Sequence, residues 1–195
     1  KFDNISWEEY IKSEKLLIKS LHHYCYKKKI KFYIIGCNYN HLKEKKWYQN
    51  VIGNKKVNLI RRSSSTSSYE FLKKTKYIVS MDSTLGLEFL SRGHKIIFFS
   101  RTVDKSKKLS KKLYFGAPFI KENKGFFFSN DINENEITKL FNNLKKYSKK
   151  KWLNKTKIIR DQLMLYDSNN GIFKETMVNL GCKINDFTYK INKSS

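Results

Sequence analysis

One segment, residues 77–99, constrains the fold more than any other part of the chain. Residues 77–81 and 95–99 are short, nearly continuous apolar runs of strand length, and residues 84–91 between them have helical length. Gly93 stands where a helix ends on a residue of positive φ. A strand, a helix and a second strand in this order predict a βαβ unit with parallel strands.

The same alternation precedes this segment. Ser6 and Glu9 have capping-box spacing, and the apolar residues that follow them recur at helical spacing. The apolar run of residues 30–36 predicts a buried strand. A short helix is expected around Trp47, followed by a second strand at residues 57–60.

A helix is then expected to begin at Ser67 and run to about residue 74, because Ser67 and Glu70 again have capping-box spacing. Residues 101–131 are predicted to form a long irregular region, in which residues 126–128 are expected to pack in the core. Two or three further helices are predicted, at about residues 134–146, 151–165 and 172–180.

These elements predict an α/β protein, a Rossmann-like αβα sandwich with a parallel sheet. The chain has 195 residues, of which 39% are hydrophobic, enough for a buried core. We expect one Rossmann-like domain over residues 1–150, helices packing on it over residues 151–181, and a polar tail over residues 182–195.

The formal charge of +24 suggests an anionic partner. Only five of the 41 basic residues are arginines, however, and base readout and planar phosphate recognition favour arginine. An AT-rich genome explains much of the lysine, so nucleic acid is the less favoured partner and peripheral contact with an anionic membrane the more favoured one.

Cys25, Cys37 and Cys182 are far apart, which predicts reduced thiols in a cytoplasmic protein rather than a zinc site or a disulfide framework. The adjacent His22 and His23 point in different directions on a helix, so no metal site is predicted. No apolar run approaches the roughly 18 residues of a membrane span.

The candidate site is the junction between the strand at residues 77–81 and the next helix. Open α/β sheets bind ligands at the carboxyl ends of their strands, and the amides and dipole of a helix N-terminus favour phosphate. The candidate residues are Asp82, Ser83, Thr84, Gly86 and Glu88. Ordinary helix capping explains the same residues equally well at this stage. The pattern is neither GxGxxG nor a P-loop, which disfavours a dinucleotide fold and an NTPase.

A second polar cluster, Arg62 with Ser63 and Ser64, follows the strand predicted at residues 57–60. These side chains either line the same pocket or belong to a solvated linker.

The run YIVSMDSTLGLEFLSRGHKIIFFSR resembles the DSTLGxExLxRGxKxxxF pattern of O-antigen and surface-carbohydrate glycosyltransferases of the GT-B superfamily. FGAPFIKENKGFFFSND is similar to the FGWP…GPFWTN stretch that follows in that family. The likeness covers about residues 5–150 and is strongest over residues 77–130. Ala117 and Phe128 replace the family's tryptophans, and His94 replaces its usual lysine, which bears on the identity of sugar and acceptor.

The resemblance implies the carboxy-terminal, nucleotide-sugar-binding half of a GT-B fold. It implies that Ser83, Thr84 and Gly86 hold the phosphate of a nucleotide-activated sugar, CMP- or NDP-linked, that Glu88 contacts ribose or sugar, and that Arg101 neutralises leaving-group charge. It also implies metal-independent transfer without a cofactor, to a saccharide or lipid-linked acceptor at the cytoplasmic membrane.

The acceptor site and the catalytic base are expected in an amino-terminal half, which this chain is expected to lack together with the first strand of its own domain. No catalytic residue is therefore assigned. A polyol-phosphate transferase or a sugar-nucleotide epimerase could use the same half-fold. A nucleic-acid-binding module and a non-catalytic scaffold remain as alternatives from other classes.

Overall fold

The computed structural model describes residues 7–36, 40–61, 63–64, 67–100, 115–116, 119–167 and 170–182. Its helices are α1 (Trp7–Lys27), α2 (His41–Val51), α3 (Ser67–Lys73), α4 (Thr84–Ser91), α5 (Glu134–Lys146), α6 (Lys149–Leu163) and α7 (Gly171–Asn179). Its strands are β1 (Ile34–Ile35), β2 (Leu59–Ile60), β3 (Ile78–Met81), β4 (Ile96–Phe99) and β5 (Phe128–Ser129).

The strands of the described residues form two parallel sheets. β1 pairs with β2, and β4 lies between β3 and β5. Helices connect successive strands from β1 to β4, so each sheet is built from crossover connections. The predicted Rossmann-like α/β fold is confirmed.

Helix α4 has the predicted bounds, and its C-terminal end is determined locally. Gly93 has φ 79°, and its N–H donates to the Leu90 carbonyl at 2.8 Å. The His94 N–H donates to the Phe89 carbonyl at 2.9 Å, which completes a Schellman motif. Glycine adopts this left-handed conformation without steric cost, so the chain turns sharply from α4 into β4.

The core is centred on β4, all four residues of which are buried. Helix α6 packs against α4, and its Trp152 is fully buried with its indole N–H donating to the His94 carbonyl at 3.0 Å. The Arg160 guanidinium donates to the Ser91 carbonyl at 3.2 Å. These bonds satisfy carbonyls at the carboxyl end of α4 and attach α6 to the same core.

Strand β5 lies in the region predicted to be irregular, so that prediction is wrong for Phe128 and Ser129. The Phe98 N–H donates to the Phe127 carbonyl at 3.0 Å, and Phe127 and Phe128 are buried against Phe115. The local sequence favours a strand only weakly, but burial of aromatic surface beside β4 stabilises one there. The expectation that these phenylalanines pack in the core is confirmed.

The capping box predicted at Ser67 and Glu70 is wrong. Ser67 is the first residue of α3, and its hydroxyl accepts from the N–H groups of Ser63 and Ser64 at 3.2 and 3.4 Å. Glu70 instead pairs with Lys73 at 3.0 Å. The Ser67 hydroxyl therefore stabilises the loop that precedes the helix and does not cap the helix. The box predicted at Ser6 and Glu9 cannot be compared, because Ser6 lies outside the described residues.

Two strands are shorter than predicted. The run of residues 30–36 contains only the two-residue strand β1, and β2 comprises two of the four residues predicted. The side chains of both strands are half-buried, whereas a buried strand was expected of β1. A sheet of two strands gives each strand only one neighbour to pair with, so short strands are expected there.

Gly86 allows α4 to pack closely on β3. A Cβ atom at this position would lie 2.3 Å from the Ser80 Oγ, 2.6 Å from the Ser80 Cβ and 3.0 Å from the Phe98 ring. Real Cβ contacts are essentially never this short, so a larger residue here would push helix and strand apart.

We expect Gly86→Ala to destabilise the fold by about 1–3 kcal/mol, the usual cost of overpacking a core. Urea unfolding followed by circular dichroism measures this. Gly171→Ala is the matched control, because its Cβ would lie 3.4 Å from Asp167, an ordinary contact. Ser80→Gly should recover part of the loss in the double variant. Equal stabilities of the two alanine variants would contradict the packing role of Gly86.

Candidate functional site

The turn between β3 and α4 is exposed at the carboxyl edge of the larger sheet. Asp82 adopts φ 47°, a left-handed conformation that aspartate tolerates better than most residues. Ser83 follows in an extended conformation as the N-cap of α4. Asp82, Ser83 and Thr84 are all exposed, so their side chains can be reached from solvent.

Within the described part of the chain, the N-cap residue of α4, Ser83, does not cap the helix with its own side chain. The Ser83 carbonyl accepts from the Gly86 N–H at 3.0 Å, but the Ser83 side chain makes no capping hydrogen bond. In α2, α5 and α6 the N-cap side chain does accept from the third helical N–H; these residues are Asn40, Asn133 and Ser148. The first turn of α4 thus keeps amide donors and the positive end of the helix dipole available.

This turn contributes Ser83 and Thr84 to the lining of a cavity of about 820 Å³. Most of the other lining residues belong to α1, α3, β3 and the segment around β1. Ser80 also lines the cavity, and its buried hydroxyl has no hydrogen-bond partner among the described residues. An unsatisfied buried hydroxyl is unusual in a folded protein, and here it lies close to the N-terminus of α4.

Glu88 is not part of this cavity lining. Its carboxylate accepts a short hydrogen bond from the Tyr69 hydroxyl, and the Tyr69 ring stacks on Phe89. The Arg92 guanidinium lies 5.7 Å from the Tyr69 ring and 5.2 Å from the Tyr166 ring. The structure therefore gives Glu88 a protein partner, and its contact with ribose or sugar stays a prediction.

The structure gives a packing reason for a glycine at residue 86 that the sequence did not reveal. It is buried against Ser80, whereas the family resemblance implies that it helps to hold the phosphate, which stays a prediction. Ser80 could have been noticed as the one polar residue in the apolar run of residues 77–81, but its contact with the helix was not predictable.

The second polar cluster is described only at Ser63 and Ser64, and neither residue lines the cavity. Ser63 and Ser64 are exposed and donate their N–H groups to Ser67, while the neighbouring Ser68 does line the cavity. Arg62 and Arg101 lie outside the described residues.

His94 packs on the core, away from the cavity. Its ring centroid is 4.8 Å from that of Phe89. Burial, with the nearby charges of Lys149 and Arg92, lowers the pKa of His94 below its ordinary value of 6.5. A neutral imidazole is favoured there, and no role as a catalytic base is assigned to it.

Within the described ranges, no three His, Cys, Asp or Glu side chains are grouped so that they could hold a metal ion. No helix in that part of the chain is long and apolar enough to cross a membrane.

Parallel strands joined by helices, with an open helix terminus at the carboxyl edge of the sheet, define a Rossmann-like α/β protein. Residues 2–180 match a protein family described as "putative O-antigen biosynthesis protein". Because the match spans most of the chain, the protein belongs to that family. Neither the search of curated proteins nor the search of solved structures found a match.

We expect Tyr69 and Glu88 to be energetically coupled, because their bond pairs a hydroxyl with a half-buried carboxylate. A double-mutant cycle of Tyr69→Phe and Glu88→Gln in urea unfolding should give a coupling of at least about 1 kcal/mol. The exposed pair Lys157–Asp161, 2.8 Å apart, is the control and should couple by less than about 0.5 kcal/mol. Additive effects at Tyr69 and Glu88 would show that the bond contributes nothing.

We expect His94 to make stability fall on acidification. Its pKa is lower in the folded than in the unfolded state, so the unfolded state takes up the proton first. As the pH drops below 6.5, protonation therefore stabilises the unfolded state relative to the folded state. The urea midpoint should decrease from pH 7.5 to pH 5.5, and decrease less in His94→Gln. The exposed His23, replaced in the same way, serves as the control. An undiminished decrease in His94→Gln would contradict this assignment.

Proposed function

We propose that the protein is the donor-binding half of a glycosyltransferase in O-antigen biosynthesis. This half binds a nucleotide-activated sugar, CMP- or NDP-linked, and presents it to a saccharide or lipid-linked acceptor. Membership of the O-antigen biosynthesis family supports the biological role. The Rossmann-like fold supports nucleotide binding at the carboxyl edge of the sheet.

The N-terminus of α4, where the Ser83 side chain makes no capping hydrogen bond, is the observation that carries this proposal. Its dipole and amide donors favour a phosphate, and they point out of a turn in which Ser83 and Thr84 are exposed. The Ser83 hydroxyl is not used by the helix, so it can donate to a phosphate oxygen. Diphosphate or monophosphate leaving groups develop negative charge, which such a terminus stabilises without a metal ion.

The remaining predicted contacts follow from this placement. Asp82 would belong to the same nucleotide-sugar site, and Arg101, which follows β4 in the sequence, would neutralise phosphate. Glu88 reaches a sugar hydroxyl only if Tyr69 releases or shares its carboxylate. The acceptor and the catalytic base are proposed to come from a further half of the enzyme.

Isothermal titration calorimetry on the complete protein tests the proposal. The panel contains CMP, UDP, GDP and dTDP, their sugar conjugates, and a CDP-linked polyol that would identify a polyol-phosphate transferase. We expect one nucleotide class to bind. No binding by any member of the panel would overturn the proposed function.

We expect Ser83→Asp to weaken nucleotide binding at least tenfold, about 1.4 kcal/mol. Aspartate is a good N-cap, so the fold should be no less stable. Its carboxylate, however, would occupy the position of the phosphate and repel the phosphate charge. Ser148→Asp is the matched control, since Ser148 caps α6 and does not line the cavity. Equal affinities of the two variants would place the phosphate elsewhere.

A further inference from the structure

The junction between α5 and α6 carries a concentration of lysine without acidic partners. Residues 137–160 contain eight lysines and no aspartate or glutamate. Six of these lysines are exposed and make no ion pair with any residue that the structure describes: Lys145, Lys146, Lys149, Lys150, Lys151 and Lys155. We call these six residues the lysine surface. Their charge is available to an anionic partner.

Half of the lysine surface occupies the first turn of α6, where positive charge is unfavourable. Helix α6 begins with Lys149, Lys150 and Lys151 and has no acidic residue in that turn. In α2, α3 and α5 the first turn contains glutamate. A helix N-terminus carries the positive end of the dipole, so three adjacent cations there oppose the dipole and repel each other. Genome composition raises the number of lysines, but it does not select the first turn of a helix.

The lysine surface lies at the edge of the larger sheet opposite to the turn between β3 and α4. Lys95, the residue directly before β4, donates its ammonium group to the carbonyls of Leu144 and Tyr147. These bonds hold the junction of α5 and α6 at the amino end of β4. Ser83 instead follows the carboxyl end of β3, which is parallel to β4. A partner at the lysine surface would therefore leave the N-terminus of α4 accessible.

An apolar residue is exposed beside the lysines of α6. Ile158 is 72% exposed. Lys151, Lys155 and Ile158 stand at positions i, i+4 and i+7 of the helix, so their side chains share one face. The buried residues of α6, Trp152 and Thr156, lie on the other face. Cations around an exposed aliphatic side chain fit the interface of a lipid bilayer, where apolar chains begin just beneath charged headgroups.

We propose that the lysine surface, together with Ile158, docks the protein on a membrane that contains anionic lipids. Lysine suits this partner, because attraction to anionic headgroups requires charge near the bilayer and no fixed donor geometry. Nucleic acid suits the surface less well. The one arginine of residues 137–160, Arg160, is turned inward and donates to the Ser91 carbonyl. A phosphodiester backbone also offers charge but no apolar layer to Ile158.

Vesicle sedimentation with the complete protein tests the docking surface. The vesicles consist of phosphatidylcholine, either pure or mixed equally with phosphatidylglycerol, at near-physiological salt. We expect binding to the anionic vesicles only. The triple variant Lys149→Glu, Lys150→Glu, Lys151→Glu should bind them at least about a hundredfold more weakly, because each lysine near an anionic bilayer contributes about fivefold.

The matched control reverses three exposed lysines of α1, Lys12, Lys15 and Lys19, and gives the protein the same net charge. Its binding should weaken by less than about tenfold, because charges more than a Debye length from the bilayer are screened. Equal losses in the two triple variants, or no preference for the anionic vesicles, would overturn the proposal.

Urea unfolding separates docking from a structural role of the same lysines. Glutamate is favourable in the first turn of a helix, so the α6 triple variant should have a urea midpoint at least as high as that of the unsubstituted protein. Its weak vesicle binding then reports the loss of a partner contact and not a loss of folding. A lower midpoint would mean that these lysines stabilise the fold, and their assignment to a membrane would be wrong.

Ile158 distinguishes a bilayer from nucleic acid. Ile158→Ser should weaken vesicle binding at least about threefold, because an apolar contact with the bilayer is lost, and should leave binding to a mixed-sequence DNA duplex unchanged. Leu42→Ser on α2, where Leu42 is 78% exposed, is the control and should change neither. Tighter binding to the duplex than to the vesicles at equal salt, or equal effects of the two serine variants, would contradict membrane docking.

This proposal does not rest on the proposed function. None of its measurements uses a nucleotide-activated sugar, and none of its variants changes a residue of the turn between β3 and α4. Membrane docking can therefore fail while calorimetry still detects donor binding, and the reverse outcome is equally distinguishable.

Discussion

The contact of Gly86 with Ser80 is the constraint on which the rest of the site depends. Without a side chain at residue 86, α4 rests directly on β3 and the Phe98 ring of β4. This close packing places the first turn of α4 at the carboxyl edge of the sheet and buries the Ser80 hydroxyl, which has no partner in the part of the chain that the structure describes. One glycine therefore fixes where the helix dipole points and which donors lie near it.

Elements with local determinants could be predicted from the sequence. The bounds of α4 and α5 match the prediction because caps, a glycine stop and helical periodicity act within a few residues. β5 could not be predicted, because Phe128 becomes a strand residue only through pairing with β4, about 30 residues earlier. The hydroxyl of Ser67 was misassigned for a related reason: its partners precede the helix instead of lying within it.

In the candidate site, too, some features could be predicted from the sequence and others could not. Exposure of Asp82, Ser83 and Thr84 was predictable, since a strand followed directly by a helix leaves its junction at the sheet edge. The surroundings of Glu88 were not, because Tyr69, 19 residues earlier, donates to its carboxylate. Sequence spacing indicates which side of a helix a residue faces, but a neighbouring element decides whether a ligand or a protein group meets it there.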